Sequence, residues 1–202
     1  MPQLSTVEIG GRRTIVMLVV IAIGIYGCDA NPLSGVQDIH GNPVDPTTDS
    51  TAVASVTLFI ESGCPISNRY APEIESLHQR YASKGVNFWL VYPDSDTSVQ
   101  TIREHMEEYG YSMAALRDPE HTLVRRANAQ VTPEAAIFLA DGTLVYHGRI
   151  DNRYADITTR RPEATVHDVA AVLDTLLEGN APGRSLKPTS QPAFGCYIRD
   201  LK

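Results

Sequence analysis

Residues 61–72 read Glu-Ser-Gly-Cys-Pro-Ile-Ser-Asn-Arg-Tyr-Ala-Pro, and they follow an apolar run, Val53–Ile60. The apolar run predicts a buried strand, and the residues after it predict an amphipathic helix from about Ser67 to Tyr81. Cys64 would therefore lie where that helix begins. The free N–H groups and partial positive charge of a helix start favour a thiolate over a thiol. We expect Cys64 to be a reactive nucleophile, and the alternative is a buried structural thiol.

The spacing around Cys64 resembles the thioredoxin-like superfamily. That family has an attacking Cys at such a strand–helix junction, a second Cys three residues later and a helix-kinking Pro eight residues later. The corresponding residues here are Cys64, Ser67 and Pro72, so the second cysteine is replaced. A serine cannot resolve a mixed disulfide. Ser67 could instead donate a hydrogen bond to the thiolate or cap the helix.

A second part of the resemblance lies downstream, at Val131-Thr132-Pro133. These residues precede an apolar strand and the turn Asp141-Gly142, as does the cis-proline of the family. The resemblance implies that Thr132 and Pro133 lie beside the Cys64 sulfur and, with Pro65, contact a bound substrate chain. It also implies an α/β thioredoxin-like fold over residues 51–180, with a central mixed β-sheet flanked by helices.

Periodicity predicts the remaining elements. An extra segment between the second and third strands of the thioredoxin order resembles the redoxin or peroxiredoxin-like branch, the alkyl-hydroperoxide-reductase/thiol-antioxidant group. The helix that begins at Thr165 is predicted from a capping box completed by Asp168. The other predictions are a strand at Val86–Tyr92, a helix at Ser98–Tyr109, a short helix at His121–Ala127, and strands at Ala135–Leu139 and Thr143–Ile150.

Residues 181–202 form a tail that is rich in Pro, Gly and Ser before Phe194-Gly195-Cys196-Tyr197. A cysteine with flanking aromatic residues in such a segment suggests a tail that docks somewhere, at a place that the pattern does not specify. Cys196 is the natural resolving partner of Cys64, and the alternative is a permanent disulfide between the two. The sequence favours the redox-active pair.

The first residues resemble an export signal. Thr14–Tyr26 is an apolar run after two arginines, and it is shorter than the roughly 20 residues of a membrane span. It ends before Gly27-Cys28, which is similar to the bacterial lipobox. We therefore expect residues 1–27 to be a lipoprotein signal peptide, Cys28 to be the lipid attachment site and residues 28–50 to be a flexible tether. The alternatives are a simple signal peptide or an uncleaved anchor.

This N-terminus predicts a membrane-anchored protein on the extracytoplasmic, periplasmic side. The chain has 202 residues, 43% of them hydrophobic, and a formal charge of −7. That composition supports one real core, and the lack of a basic stripe argues against nucleic acid as a partner. The expected partners are protein thiols and disulfides, or a membrane or periplasmic reductant, and no cofactor or resident metal is expected.

Three other functions remain open on the sequence. A peroxiredoxin-like thiol peroxidase would need a Thr or Ser three residues before the cysteine and a Pro four residues before that, where this chain has Glu61 and Thr57. A copper chaperone could use the two cysteines with a histidine, because thiolate and imidazole suit Cu(I). A non-catalytic thioredoxin-like binding module is the third. The candidate histidines are His78, His121 and His147.

Overall fold

Strands and helices alternate along the part of the chain that the computed structural model describes, which is residues 33, 35–154, 156, 159–179 and 189–201. The helices are α1 (Pro65–Tyr81), α2 (Val99–Tyr109), α3 (Thr122–Ala127) and α4 (Asp168–Leu177), with a 3₁₀ turn at Ala82–Lys84. The strands are β1 (Gln37–Asp38), β2 (Ala54–Phe59), β3 (Val86–Tyr92), β4 (Ala114–Arg117), β5 (Val131–Thr132), β6 (Glu134–Leu139), β7 (Leu144–Gly148), β8 (Thr189–Gln191) and β9 (Cys196–Tyr197).

Within these residues, seven strands form one mixed sheet in the order β1-β4-β3-β2-β6-β7-β8. The central strand β2 pairs in parallel with β3 and antiparallel with β6, and Val56 lies opposite both Phe88 and Ile137. All six residues of β2 are buried. A strand buried on both faces has few polar residues, and β2 has only Ser55 and Thr57 among its six.

Successive residues of the central strands point to opposite faces of the sheet and so supply two cores. On one face, Val56 belongs to a cluster with Ile74 of α1 and Leu173 of α4. On the other face, Phe59 belongs to a cluster with Leu123 of α3. The sheet is therefore covered on both sides. Packing on both faces holds β2 in position, and this also sets where α1 begins.

This arrangement confirms the predicted α/β class, with a central mixed sheet flanked by helices. The strand predicted at Val86–Tyr92 has those bounds, and α1 and α2 begin within two residues of their predicted starts. Pro72 lies inside α1, as the spacing implied. The short strand β4 was not predicted, since its four residues show no clear alternation of their own.

The predicted tether from residue 28 to residue 50 is wrong for its described part, residues 33 and 35–50. Leu33 and Val36 are buried in the second core, and β1 pairs antiparallel with β4. The scattered apolar side chains of this segment, which is rich in Pro, Asp and Gly, show no periodic pattern, although Ile39 and Val44 also pack against the cores. The domain therefore begins before residue 51.

The predicted capping box of the last helix is also wrong. Helix α4 begins at Asp168, after His167, and has no side-chain cap. Thr165 donates and accepts hydrogen bonds with Asn152 instead, and the Asp168 carboxylate pairs with Arg149 at 2.7 Å. Long-range partners thus replace the local cap that the spacing of Thr165 and Asp168 indicated.

Candidate redox site

The site lies at the junction between the end of β2 and the start of α1. Ile60 continues the ladder by donating to the Val91 carbonyl, and a tight turn follows in which the Cys64 N–H donates to the Glu61 carbonyl at 3.0 Å. Cys64 is the N-cap residue of α1 and Pro65 is its first residue, where a missing N–H costs nothing. The prediction that Cys64 lies at the start of this helix is confirmed, and its side chain is 1% exposed.

Cys64 and Cys196 form a disulfide, with their Cα atoms 6.1 Å apart. The two cysteines are 132 residues apart in the sequence. Cys196 is half-buried, whereas Cys64 is fully covered. The structure therefore contains the oxidised form of the pair that the sequence singled out. The low thiol pKa expected of Cys64 belongs to the reduced form and stays a prediction.

The loop between β5 and β6 lies beside this disulfide. The Thr132–Pro133 peptide bond is cis, and the Thr132 carbonyl oxygen lies 3.2 Å from the Cys64 sulfur. Thr132 is fully buried. The structure thus brings Thr132 and Pro133 to Cys64, as the resemblance implied. The substrate-contacting roles of Pro65, Thr132 and Pro133 remain predictions.

Ser67 lies one turn of helix from Cys64, and its side chain is fully buried. Its hydroxyl has no hydrogen-bond partner among the described residues. It does not cap α1, because the N-cap is Cys64 and no side chain caps that helix. Buried hydroxyls nearly always have a partner, so an unpaired one three residues after Cys64 requires an explanation.

The tail covers the site by adding a strand to it. Strand β9 pairs antiparallel with β5, so that Cys196 lies opposite Thr132 and Tyr197 lies opposite Val131. The Ile198 N–H donates to the Gln130 carbonyl at 3.1 Å. The tail therefore docks beside Cys64, on the segment that precedes the cis-proline.

A buried histidine, which no sequence pattern indicated, supports the loop before Cys64. His105 Nε2 lies 3.0 Å from Asn68 Oδ1, while the Asn68 amide donates to the Ser62 carbonyl. Since Asn68 Oδ1 can only accept, Nε2 carries the proton, and Nδ1 accepts from the Tyr92 hydroxyl at 2.8 Å. Burial lowers the pKa of His105, which favours this neutral ring.

Glu134 supports the other side of the site and was also missed. Its carboxylate is buried and accepts hydrogen bonds from the Gln130 and Val131 N–H groups at 2.8 and 3.2 Å. His147 lies 3.6 Å from the same carboxylate. Glu134 thereby holds the backbone of β5 in place. In the sequence, only its position directly after Thr132-Pro133 could have indicated that Glu134 belongs to the site.

The three histidines proposed for copper have other neighbours. His78 contacts Ser112, His121 contacts the Pro93 carbonyl, and His147 faces Glu134. Among the described residues, the one cluster with metal-ligating geometry contains no cysteine and consists of Glu73, Asp151 and His167. In that cluster Arg153 pairs with both carboxylates. Nothing in this geometry favours a copper site at the disulfide.

The proposed lipid site Cys28 and the proposed signal peptide, residues 1–27, lie outside the described residues. Among the described residues, none of the helices combines the length and the apolar character that a membrane crossing needs.

Proteins with a cysteine at this junction of a mixed sheet and a helix form the thioredoxin-like class, and this chain has the architecture of that class. Its family follows from a comparison with family models. The Redoxin model matches residues 31–164, more than half of the chain, so the chain belongs to the Redoxin family. No curated protein of known function matches it.

Solved structures confirm the thioredoxin-like fold. An uncharacterized conserved protein from Geobacillus kaustophilus is 28% identical, with a TM-score of 0.63 over 81% of this chain and 86% of that one. A hypothetical protein from Sinorhizobium meliloti 1021 is 21% identical, with a TM-score of 0.66 over 81% and 88%. An uncharacterized thioredoxin-like protein from Porphyromonas gingivalis is 14% identical, with a TM-score of 0.50 over 73% and 91%.

Proposed function

We propose that the protein is a thiol–disulfide oxidoreductase in which Cys64 is the nucleophile and Cys196 is the resolving thiol. The observation that carries this proposal is the disulfide between Cys64, at the start of α1, and Cys196, on a strand added beside the cis-proline. Ser67 occupies the usual place of the resolving cysteine. The tail therefore supplies, from a distance, the thiol that the helix lacks.

In the reduced protein the Cys64 thiolate attacks a substrate disulfide. A mixed disulfide forms, and the second substrate sulfur leaves as a thiolate that takes up a proton. The Cys196 thiolate then attacks the Cys64 sulfur, so that the Cys64–Cys196 disulfide forms and the first substrate sulfur leaves. Two electrons pass from the protein dithiol to the substrate, which is released as a dithiol.

Regeneration runs through the more accessible sulfur. Cys196 is half-buried and Cys64 is covered, so an external thiolate attacks Cys196 and expels the Cys64 thiolate. The helix start favours that leaving group, and a leaving thiolate of low pKa departs faster. A second reductant thiol then releases Cys196. A permanent structural disulfide does not need a cysteine at a helix start, whereas a disulfide that is repeatedly reduced benefits from such a leaving group.

Trapping tests the assignment of the two cysteines. In Cys196→Ser the mixed disulfide with substrate should accumulate, because Ser67 offers no thiol to release it. In Cys64→Ser no such adduct should form with a substrate disulfide. Mass spectrometry of the adducts identifies both the cysteine and the substrate. Full turnover of disulfide substrates by Cys196→Ser would exclude an obligatory role for Cys196.

We further propose that the enzyme acts outside the cytoplasm while attached to a membrane by a lipid on Cys28. The support is the apolar run that ends in Gly27-Cys28, together with a disulfide that suits an oxidising compartment. Replacing Cys28 by Ala should abolish labelling by a fatty-acid analogue and release the protein from the membrane fraction. Unchanged labelling and fractionation would refute the lipid anchor.

A further inference from the structure

The docked tail has the backbone arrangement expected of a bound substrate. We propose that residues 195–199, Gly-Cys-Tyr-Ile-Arg, are an intramolecular copy of the substrate sequence. The site then takes an extended polypeptide disulfide with glycine before its cysteine, an apolar residue two positions after it and a basic residue three positions after it. Glu61 and Asp94 would select the basic residue. This inference rests on the proposed oxidoreductase function.

The backbone contacts come from strand addition, which any extended polypeptide can make. Cys196 lies opposite Thr132 in the antiparallel pair, and the Thr132 hydroxyl lies 3.5 Å from the Cys196 carbonyl. Two residues later, the Ile198 N–H donates to the Gln130 carbonyl. A substrate cysteine in the place of Cys196 would therefore present its sulfur to Cys64 with the same backbone partners.

The position before the cysteine is restricted to glycine by sterics. A Cβ atom on Gly195 would collide with the carbonyl group of Thr132 and the nitrogen of Pro133. These are backbone atoms of the cis-proline loop, which Glu134 holds in place, so they cannot move aside as a flexible side chain would. Any side chain at this position would push the chain off β5.

The positions after the cysteine differ in what they require. Tyr197 is 81% exposed, so the residue directly after the cysteine is not selected. Ile198 is 7% exposed and belongs to the second core, in one cluster with Leu123 and Ala129. A polar residue there would lose that apolar burial without gaining a partner. The site therefore selects an apolar side chain at the second position after the cysteine.

The third position meets two acidic side chains from the rim of the site. Arg199 pairs with Asp94 and, at 3.4 Å, with Glu61. Glu61 belongs to the turn that delivers Cys64, and Asp94 follows β3. Both carboxylates raise the pKa of Arg199, which keeps the cation in place. An acidic residue at this position of a substrate would be repelled by both.

The tail and a substrate cannot occupy β5 together. When Cys196 resolves the mixed disulfide, its strand must return to Val131–Thr132, and it displaces the substrate strand as it does so. Formation of the Cys64–Cys196 disulfide and release of the reduced product therefore occur together, as β9 returns to β5. A substrate that resembles the tail is held firmly enough to react and is still removed by an equal competitor.

The test uses the full chain with Cys28→Ala and Cys196→Ser, so that Cys64 is the single thiol of the three cysteines. The substrate is the peptide Phe-Gly-Cys-Tyr-Ile-Arg-Asp with its cysteine linked to thionitrobenzoate. The Cys64 thiolate attacks the peptide sulfur, and the coloured thionitrobenzoate anion leaves, since the better leaving thiolate has the lower pKa. Matched peptides replace Gly by Val, Ile by Ser, or Arg by Glu.

The parent peptide should react about 3- to 10-fold faster than the Arg-to-Glu peptide, because the first gains exposed ion pairs and the second is repelled by the same carboxylates. Added salt screens both effects and should reduce this ratio. The Val and Ser peptides should be slower by about tenfold or more, as a steric clash and a lost apolar contact imply. In the Glu61→Lys protein the preference between Arg and Glu peptides should fall to one or invert. Asp94→Lys provides an independent second variant.

Two outcomes would overturn the inference. Equal rates for all four peptides, with rapid reaction of the small disulfide 5,5′-dithiobis(2-nitrobenzoate) at Cys64, would refute the substrate copy and leave the oxidoreductase function intact. No reaction of Cys64 with either the peptides or the small disulfide would refute the proposed function and the inference together. Because each ratio is measured within one protein, a change in the intrinsic reactivity of Cys64 cancels.

Discussion

The hydroxyl of Ser67, in the first turn of α1 after Cys64, is buried and unpaired in the oxidised protein. We expect the hydroxyl to donate a hydrogen bond to the Cys64 thiolate. Ser67→Ala should therefore raise the pKa of the Cys64 thiol by about 1–2 pH units, the equivalent of a hydrogen bond to a charged group worth roughly 1.5–3 kcal/mol. The rate of alkylation against pH measures it.

The control for Ser67 is Ser98→Ala. Ser98 caps α2 by accepting from the Thr101 N–H at 3.0 Å, so its removal should cost about 1 kcal/mol of stability. It should leave the pKa of Cys64 unchanged. The oxidised form of Ser67→Ala should be at least as stable as the unmodified protein, because an unpaired polar atom is removed. An unchanged thiol pKa in Ser67→Ala would show that the hydroxyl does not serve the thiolate.

His105 makes stability depend on pH. Burial lowers its pKa in the folded protein below the ordinary value of 6.5, so at mildly acidic pH the unfolded chain binds a proton that the folded chain rejects. This contribution to the free energy of unfolding is fully present above about pH 6.5 and is lost as the pH falls. Urea unfolding at several pH values should show the loss, and His105→Gln should reduce it. The exposed His40 provides the control, since His40→Gln should keep the dependence.

At the scale of secondary structure, strand β9 depends on one glycine. Gly195→Val should prevent β9 from pairing with β5, because the added Cβ meets backbone atoms of Thr132 and Pro133. We expect formation of the Cys64–Cys196 disulfide after mixing with oxidant to slow by about tenfold or more, as for other clashes against rigid backbone. Ser190→Val adds bulk at an exposed position of β8 and should not slow it. Equal rates for both variants would contradict the docking role of Gly195.

Strand β5 depends on Glu134 in a similar way. Glu134→Ala leaves the Val131 N–H without its buried acceptor, and an unsatisfied group of this kind costs about 1–3 kcal/mol. We expect that loss in urea unfolding, and a slower reaction of Cys64 with disulfides because Thr132 is no longer held. Glu134→Gln retains an acceptor oxygen and should recover most of the stability. Full stability of Glu134→Ala would show that β5 needs no such support.

The elements that the sequence predicted are those with a strong local signal. The mostly apolar runs of β2 and β3 and the amphipathic spacing of α1 place each of these elements to within two residues at either end. The start of α4 and the attachment of residues 35–50 were missed, because Asn152, Arg149 and β4 decide them from a distance. Cys64 could be found from its local context. Its supports His105 and Glu134 could not, since their partners come together only in the fold.

Over the whole molecule, the disulfide joins two residues that are 132 positions apart and so closes a long loop at the candidate site. Constraining the unfolded chain in this way stabilises the oxidised protein by about 5 kcal/mol in the loop-entropy model. The reduced protein has a compensating stabilisation from the helix start and from Ser67, of roughly 1.5–3 kcal/mol for a hydrogen bond to a charged group. The larger effect favours the oxidised form. A fold that stabilises its disulfide is a reductant toward substrate disulfides, which is the direction proposed for Cys64.

This balance gives a prediction for the full chain with Cys28→Ala. Urea unfolding of the oxidised and the dithiothreitol-reduced protein should give a free energy of unfolding that is about 2–3.5 kcal/mol higher for the oxidised form, the difference of the two contributions. The reduced protein should still unfold in a single transition, since most members of both cores belong to the sheet and to the helices that cover it. By linkage, a reduced form more stable than the oxidised one would mean that the fold destabilises its disulfide. The protein would then oxidise substrate dithiols, with Cys196 as the sulfur that they attack.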